Sequence, residues 1–245
     1  MIQPALEDRV ALVTGSARGL GRELVHSIAA CGADVAVQYH SSADAAAAVV
    51  DTVEAADGNA IAVQADVTDP ESVDSAFETI EADLGSVDVL VNNVGEFAPR
   101  HWRDLDLETW NRVLHTNLNG TYLCSRRALP AMADQEWGRI VNVGYASAEK
   151  GMVNPKNFPY FVAKTGVLMF TRMLAADTQD EGITVNAVSP YVIENSEEFP
   201  EELPRGRPAS FEDIAGAIWY FLTEEAAYVS GENVEIDGGW LPETV

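Results

Sequence analysis

Tyr160 and Lys164 are the residues from which chemistry can be argued first. Four positions apart on a helix, they share one face. A tyrosine with an ordinary pKa of about 10 is a poor acid or base at neutral pH. An ammonium beside it stabilises the phenolate and makes the hydroxyl a usable proton donor or acceptor. Such a pair suits proton transfer to a carbonyl oxygen or from an alcohol.

A second cluster is Thr14-Gly15-Ser16-Ala17-Arg18-Gly19-Leu20-Gly21, directly after an apolar run. Glycines there allow a tight turn and a close approach of phosphate to backbone. A helix starting at the turn offers free N–H groups and the positive end of its dipole. Gly15, Ser16, Arg18, Gly19, Leu20 and Gly21 are therefore candidate contacts for a dinucleotide pyrophosphate. With a nicotinamide coenzyme present, proton transfer at Tyr160 would accompany hydride transfer.

Both clusters need a scaffold that brings them together. Short β-rich runs fall at Val10–Val13, Val35–Gln38, Ala60–Gln64, Val87–Asn92, Arg139–Val143, Thr184–Val188 and Asn233–Ile236. The first six read as strands buried on both faces. Helical periodicity covers Leu20–Cys31, Ala43–Ala56, Glu71–Leu84, Leu107–Met132, Phe158–Thr178 and Phe211–Leu222. The alternation predicts an α/β fold: one doubly wound Rossmann domain spanning 1–245, with a seven-stranded parallel sheet and helices on both faces.

The glycine spacing T-G-x-x-x-G-x-G resembles that of the short-chain dehydrogenase/reductase family, and the resemblance runs the length of the chain. Asp66-Val67 is similar to the family's adenine contact, and Asn92-Asn93-Val94-Gly95 to its N-N-A-G segment. Tyr160-x-x-x-Lys164 matches its Y-x-x-x-K, and Asn117 its active-site asparagine. Ser189-Pro190 and Ile236-Asp237-Gly238-Gly239 also fit. The resemblance implies coenzyme contacts from Asp66, Val67, Asn93, Val94, Gly95, Tyr160, Lys164, Pro190 and Ile193. It also implies that Asn117 holds a water linking Lys164 to solvent.

The chain departs from the family at one catalytic position. The serine expected directly after the fifth strand is replaced by Tyr145, while the usual spacing to the tyrosine points to Ser147. Ser147 is the preferred carbonyl-orienting hydroxyl, and the Tyr145 phenol is its rival.

An NAD site wants a carboxylate at the end of the second strand. Tyr39 stands there instead, and Arg18, His40, Ser41 and Ser42 are available to a 2′-phosphate. NADP, used as NADPH, is thus expected over NAD. The expected function is reduction of a small-molecule carbonyl to an alcohol, with a 3-oxoacyl thioester or similar ketone as substrate. A pteridine reductase-like enzyme and a dinucleotide-binding sensor with little turnover remain open.

The charge balance is extreme: 39 acidic against 15 basic residues gives −24, with only three lysines. A nucleic-acid partner is excluded by the lack of a basic face. The reading favoured is a halophile-type surface whose self-repulsion needs screening by salt. Nine of the basic residues fall within 100–164, among them Arg100, Arg103, Lys150 and Lys156. A positive rim there would favour an anionic substrate, unless neighbouring carboxylates neutralise it. Four scattered histidines give no metal motif, and two distant cysteines give no disulfide framework. No signal peptide or membrane span is expected, which points to the cytoplasm. The long helices Leu107–Met132 and Phe158–Thr178 carry more apolar surface than one sheet face needs, and predict a homodimer or homotetramer.

Overall fold

The computed structural model describes residues 3–146, 148, 156–196 and 199–240. Seven strands, β1 (Val10–Val13), β2 (Asp34–Tyr39), β3 (Ala60–Gln64), β4 (Val89–Asn92), β5 (Gly138–Val143), β6 (Ile183–Pro190) and β7 (Asn233–Ile236), form one sheet. Its order is β3-β2-β1-β4-β5-β6-β7, and every pairing is parallel. The β-branched runs read as buried strands lie within those bounds to one or two residues.

Alternate residues of the inner strands feed two cores, as a period of two requires. Ala11, Val13, Val35 and Val37 pack with α1 (Gly19–Ala29), α2 (Ala43–Glu54) and α7 (Phe211–Leu222). Val10, Leu12, Ala36 and Leu90 pack with α3 (Pro70–Asp83), α5 (Gly120–Asp134) and α6 (Phe158–Asp177). Helices therefore cover both faces. Cys31 and Cys124 belong to opposite cores, with the sheet between them.

One predicted helix is not continuous. Leu107–Met132 divides into α4 (Leu107–Leu114), a π-helical turn over His115–Asn119, and then α5. A π turn takes one residue more per hydrogen bond than an α turn, so it re-aims the side chains that follow.

A chain of buried amides and hydroxyls ties α5 and α6 to the sheet. Asn92 Nδ2 donates to Ser125 Oγ and to Asn142 Oδ1, and Asn142 Nδ2 donates to Thr171 Oγ1, all within 2.9–3.0 Å. These bonds link α6 to β4 and β5 through Asn142, although Asn92 Oδ1 is left without a partner among the described residues.

Candidate active site

The strand order reverses between β1 and β4, and ligands of open α/β sheets bind outside the carboxyl ends of the strands at such a point. A cleft of about 1690 Å³ lies there, from the β1–α1 turn to the start of α6.

The glycine turn is shaped for close approach. Gly15 and Gly19 have φ of +65° and +57°, a region that disfavours side chains. A Cβ on Gly21 would stand 2.5 Å from the Gly15 carbonyl oxygen, so only glycine lets α1 begin this near the turn. The turn is braced from two sides. Gln38 accepts from Gly15 N at 2.7 Å and donates to the Ala65 carbonyl at 2.8 Å. Asn93 Nδ2 donates to the Thr14 and Gly15 carbonyls, at 2.9 and 3.3 Å.

These contacts revise two expectations. Ser16 is fully buried and donates its hydroxyl to the Val13 carbonyl at 2.7 Å, so its side chain faces inward rather than toward a phosphate. The Asn93 side chain buttresses the turn, although the residue does line the cleft. The bracing role of Gln38 has no signature in the sequence, because it depends on β2 lying beside β1.

At the other end of the turn, Arg18 is exposed at the lip, and its side chain makes no hydrogen bond or ion pair among the described residues. Tyr39, His40, Ser41 and Ser42 line the same end of the cleft, with Asp66 and Val67. Asp66 accepts from the Thr68 hydroxyl and N–H at 2.7 and 2.9 Å. Burial pushes its carboxyl up, but those two bonds, with His40 Nε2 4.0 Å away, outweigh burial and hold it low.

The catalytic candidates converge at the opposite end. Tyr160 lies in the first turns of α6, and its ring meets Phe97 and Tyr145 edge to face, with centroids 5.2 and 5.5 Å apart. Burial, together with the Tyr145 phenol, pushes the Tyr160 hydroxyl above its ordinary pKa of 10.0. Lys164 is 3% exposed, and its Nζ donates to the Val143 carbonyl at 2.7 Å. Burial lowers its pKa from 10.5 to about 8. Lys164 Nζ is 5.7 Å from the Tyr160 ring centroid, and the tyrosine is nonetheless raised. Desolvation thus decides the direction at Tyr160, against the lowering expected from the ammonium.

Asn117 sits in the π turn and is fully buried. Its Nδ2 donates to the Glu96 and Val113 carbonyls at 3.0 and 2.9 Å, while its Oδ1 has no partner. Gly95 faces that oxygen: a Cβ there would stand 3.0 Å from Asn117 Oδ1 and 3.5 Å from Lys164 Nζ.

Pro190, at the end of β6, and Ile193, beyond it, line the cleft, and Tyr145 lines it beyond β5. Ser147 and Lys150 lie outside the described residues. The expected positive rim is largely neutralised. Arg112 pairs with Glu96 at 2.7 Å and Arg100 with Asp106 at 3.1 Å. Arg103 lies over Trp102 at 5.2 Å. Pairing therefore prevails at Arg100 and Arg112, a result that depends on tertiary neighbours. Cleft residues missed in the sequence include Phe97, Phe161 and Asn157. No described helix is long and apolar enough to cross a membrane.

The chain matches the family profile described as "Enoyl-(Acyl carrier protein) reductase" over residues 15–241. It is 38% identical to a 3-oxoacyl-[acyl-carrier-protein] reductase of Synechocystis sp. over 97% of this chain and 98% of that one. With the Escherichia coli (strain K12) reductase of the same name it shares 35% identity, covering 95% and 97%. A solved structure from Agrobacterium tumefaciens, provisionally assigned as a gluconate dehydrogenase, superposes with a TM-score of 0.91 at 30% identity, covering 98% of both chains. Another from Sinorhizobium meliloti 1021, provisionally assigned as a short-chain alcohol dehydrogenase, gives 0.89 at 32%, covering 96% of both. The chain belongs to the short-chain dehydrogenase/reductase family and is an NAD(P)-dependent oxidoreductase.

Proposed function

We propose that the protein reduces a carbonyl to an alcohol with NADPH, the substrate being a 3-oxoacyl thioester or a similar ketone. The observation that carries this reading is Tyr160 in the cleft wall with Lys164 buried behind it, one helical turn on. The names of the reductases it resembles agree with that chemistry.

The glycine turn fits a dinucleotide, since Gly15 and Gly19 take positive φ there and Gly21 lets α1 begin close against it. Arg18, with His40, Ser41 and Ser42, would meet a 2′-phosphate, and Asp66 and Val67 the adenine. The coenzyme, when bound, supplies the hydride.

The remaining work falls to the chain. Tyr160 carries the proton that a general acid gives up, and the Lys164 ammonium beside it favours that release. As the carbonyl carbon is reduced, its π electron pair moves to oxygen, and oxygen takes the Tyr160 proton. Lys164 steadies the phenolate left behind, and Asn117 holds the path by which the proton returns. Ser147 or Tyr145 donates the second hydrogen bond to the carbonyl oxygen.

The test is NADPH oxidation against a panel of carbonyl compounds in molar KCl, with Tyr160→Phe beside the wild type. That variant keeps the ring and removes the proton, so turnover should vanish while NADPH binding persists. Retained turnover would refute Tyr160 as the acid. Ser147→Ala and Tyr145→Phe then identify the orienting hydroxyl, whose loss should cost roughly 10²–10³ in kcat.

A further inference from the structure

The substrate end of the cleft is framed by rings. Phe97, Tyr145, Tyr160, Phe161 and Tyr191 all line it. Around Tyr160 stand Phe97, Tyr145 and Phe161, at centroid distances of 5.2, 5.5 and 6.3 Å and interplanar angles of 73–90°. Tyr145 also meets Phe161 at 5.5 Å and Tyr191 at 6.3 Å. Tyr191 is fixed from behind: Trp240 stacks on it at 3.7 Å and 13°. The turn at Asp237–Gly239, with φ of +69° and +85° at its two glycines, brings Trp240 there.

A frame of this kind selects by shape and by quadrupole. Aromatic rings attract one another edge to face or offset-stacked, beyond the area they bury. A flexible aliphatic chain gains the burial alone and gives up rotamer freedom to enter. The charges on this wall point the same way. Among the described residues, the arginine and lysine that line this end are engaged, Arg112 by Glu96 and Lys164 by the Val143 carbonyl. Neither is left for the phosphates that a natural thioester carrier bears.

We propose that the substrate is an uncharged carbonyl compound bearing a planar aromatic ring beside the C=O, with the ring held among Phe97, Phe161 and Tyr191. Trp240 is a positioning residue that sets the Tyr191 plane. The proposal narrows the carbonyl-reducing reading given above and rests on it.

The experiment compares acetophenone, cyclohexyl methyl ketone and the 3-oxobutyryl thioester of N-acetylcysteamine with NADPH in molar KCl. The first two differ in ring planarity and little in size. The third is an uncharged thioester, so charge does not bias the comparison. We expect kcat/KM for acetophenone to exceed both others by roughly tenfold, the scale of one added aromatic contact. Tyr191→Leu and Phe97→Leu keep bulk and remove a ring. Each should lower that ratio at least several-fold. Trp240→Leu should raise KM for acetophenone more than it changes kcat. Equal or better turnover of the saturated ketone or the thioester would overturn the ring proposal and leave carbonyl reduction standing. Turnover of none of the three, with NADPH bound, would overturn both.

Discussion

Asn117 Oδ1 and Lys164 Nζ approach one point in space, the position a side chain on Gly95 would occupy, to within 3.0 and 3.5 Å. One group is an unpartnered acceptor and the other a donor. A water held beside Gly95, in the space the missing side chain leaves open, would be within reach of both, and buried waters stand where polar groups of this kind converge.

Gly95→Ala should therefore uncouple the proton path without replacing any group that carries a proton. We expect kcat to fall roughly 10²-fold, the lower range of what positioned proton transfer supplies. NADPH affinity should change far less. Stopped-flow turnover and equilibrium binding on the same preparation check this. Unchanged kcat would remove the convergence from the mechanism.

Lys164 makes a signed prediction about pH. Its folded pKa, about 8, lies below its ordinary 10.5. Between those values the unfolded chain binds the extra proton, so stability rises with pH across that window. The cost is fully present below pH 8 and relieved toward 10.5. Lys164→Met should thus be more stable than wild type at pH 7, by roughly 1–3 kcal/mol, and lose that advantage by pH 10. Urea midpoints at the two pH values measure it. The same variant should be inactive, and wild-type reduction should decline as pH rises through about 8. A pH-independent stability difference would contradict the buried-ammonium account.

Arg18 is the cation at the coenzyme lip with no partner of its own among the described residues. Arg18→Ala should weaken NADPH by about 1–3 kcal/mol, the scale of a lost charged hydrogen bond, and leave NADH nearly unchanged. Titration calorimetry with both coenzymes decides it. Equal weakening would assign the 2′-phosphate to the His40–Ser42 turn instead.

With a net charge of −24, the surface repels itself at low ionic strength. In molar KCl the Debye length is about 3 Å, and that repulsion is screened. We expect the melting temperature to rise by several degrees from dilute buffer to molar KCl. A flat response would remove the halophile-type reading.

Assembly is predicted from α6. Val162, Met169 and Met173 are 50%, 56% and 64% exposed, and Tyr122 of α5 is 45% exposed. Spacings of seven and four put the three α6 residues on one face. Light scattering in high salt should give a two-fold-symmetric dimer or tetramer, and Met173→Glu should shift it toward monomer. A monomeric wild type would leave that face unexplained.

Much of this was readable beforehand, for local reasons. β1 matches its apolar run end to end, because a strand buried on both faces has little freedom of composition. Tyr160 and Lys164 could be paired from spacing alone. What escaped depends on neighbours distant in sequence. Gln38 braces the glycine turn because β2 lies beside β1, and Arg112 is neutralised because Glu96 lies beside it. Tyr160 is raised rather than lowered because burial decides the direction, and burial is a property of the whole fold.

The π turn at His115–Asn119 extends this point to what a gene must specify. Asn117 is aimed by an extra residue in the helical count, so its placement is written in chain length as much as in residue identity. Removing one residue within 115–119 other than Asn117 would let α4 and α5 join as one regular helix. The asparagine would then rotate by roughly 100° relative to one of its flanks, the angular step of an α-helix. Every side chain named for catalysis would survive such a deletion, and the site would still be lost. Substitution scans of this helix are blind to that class of failure.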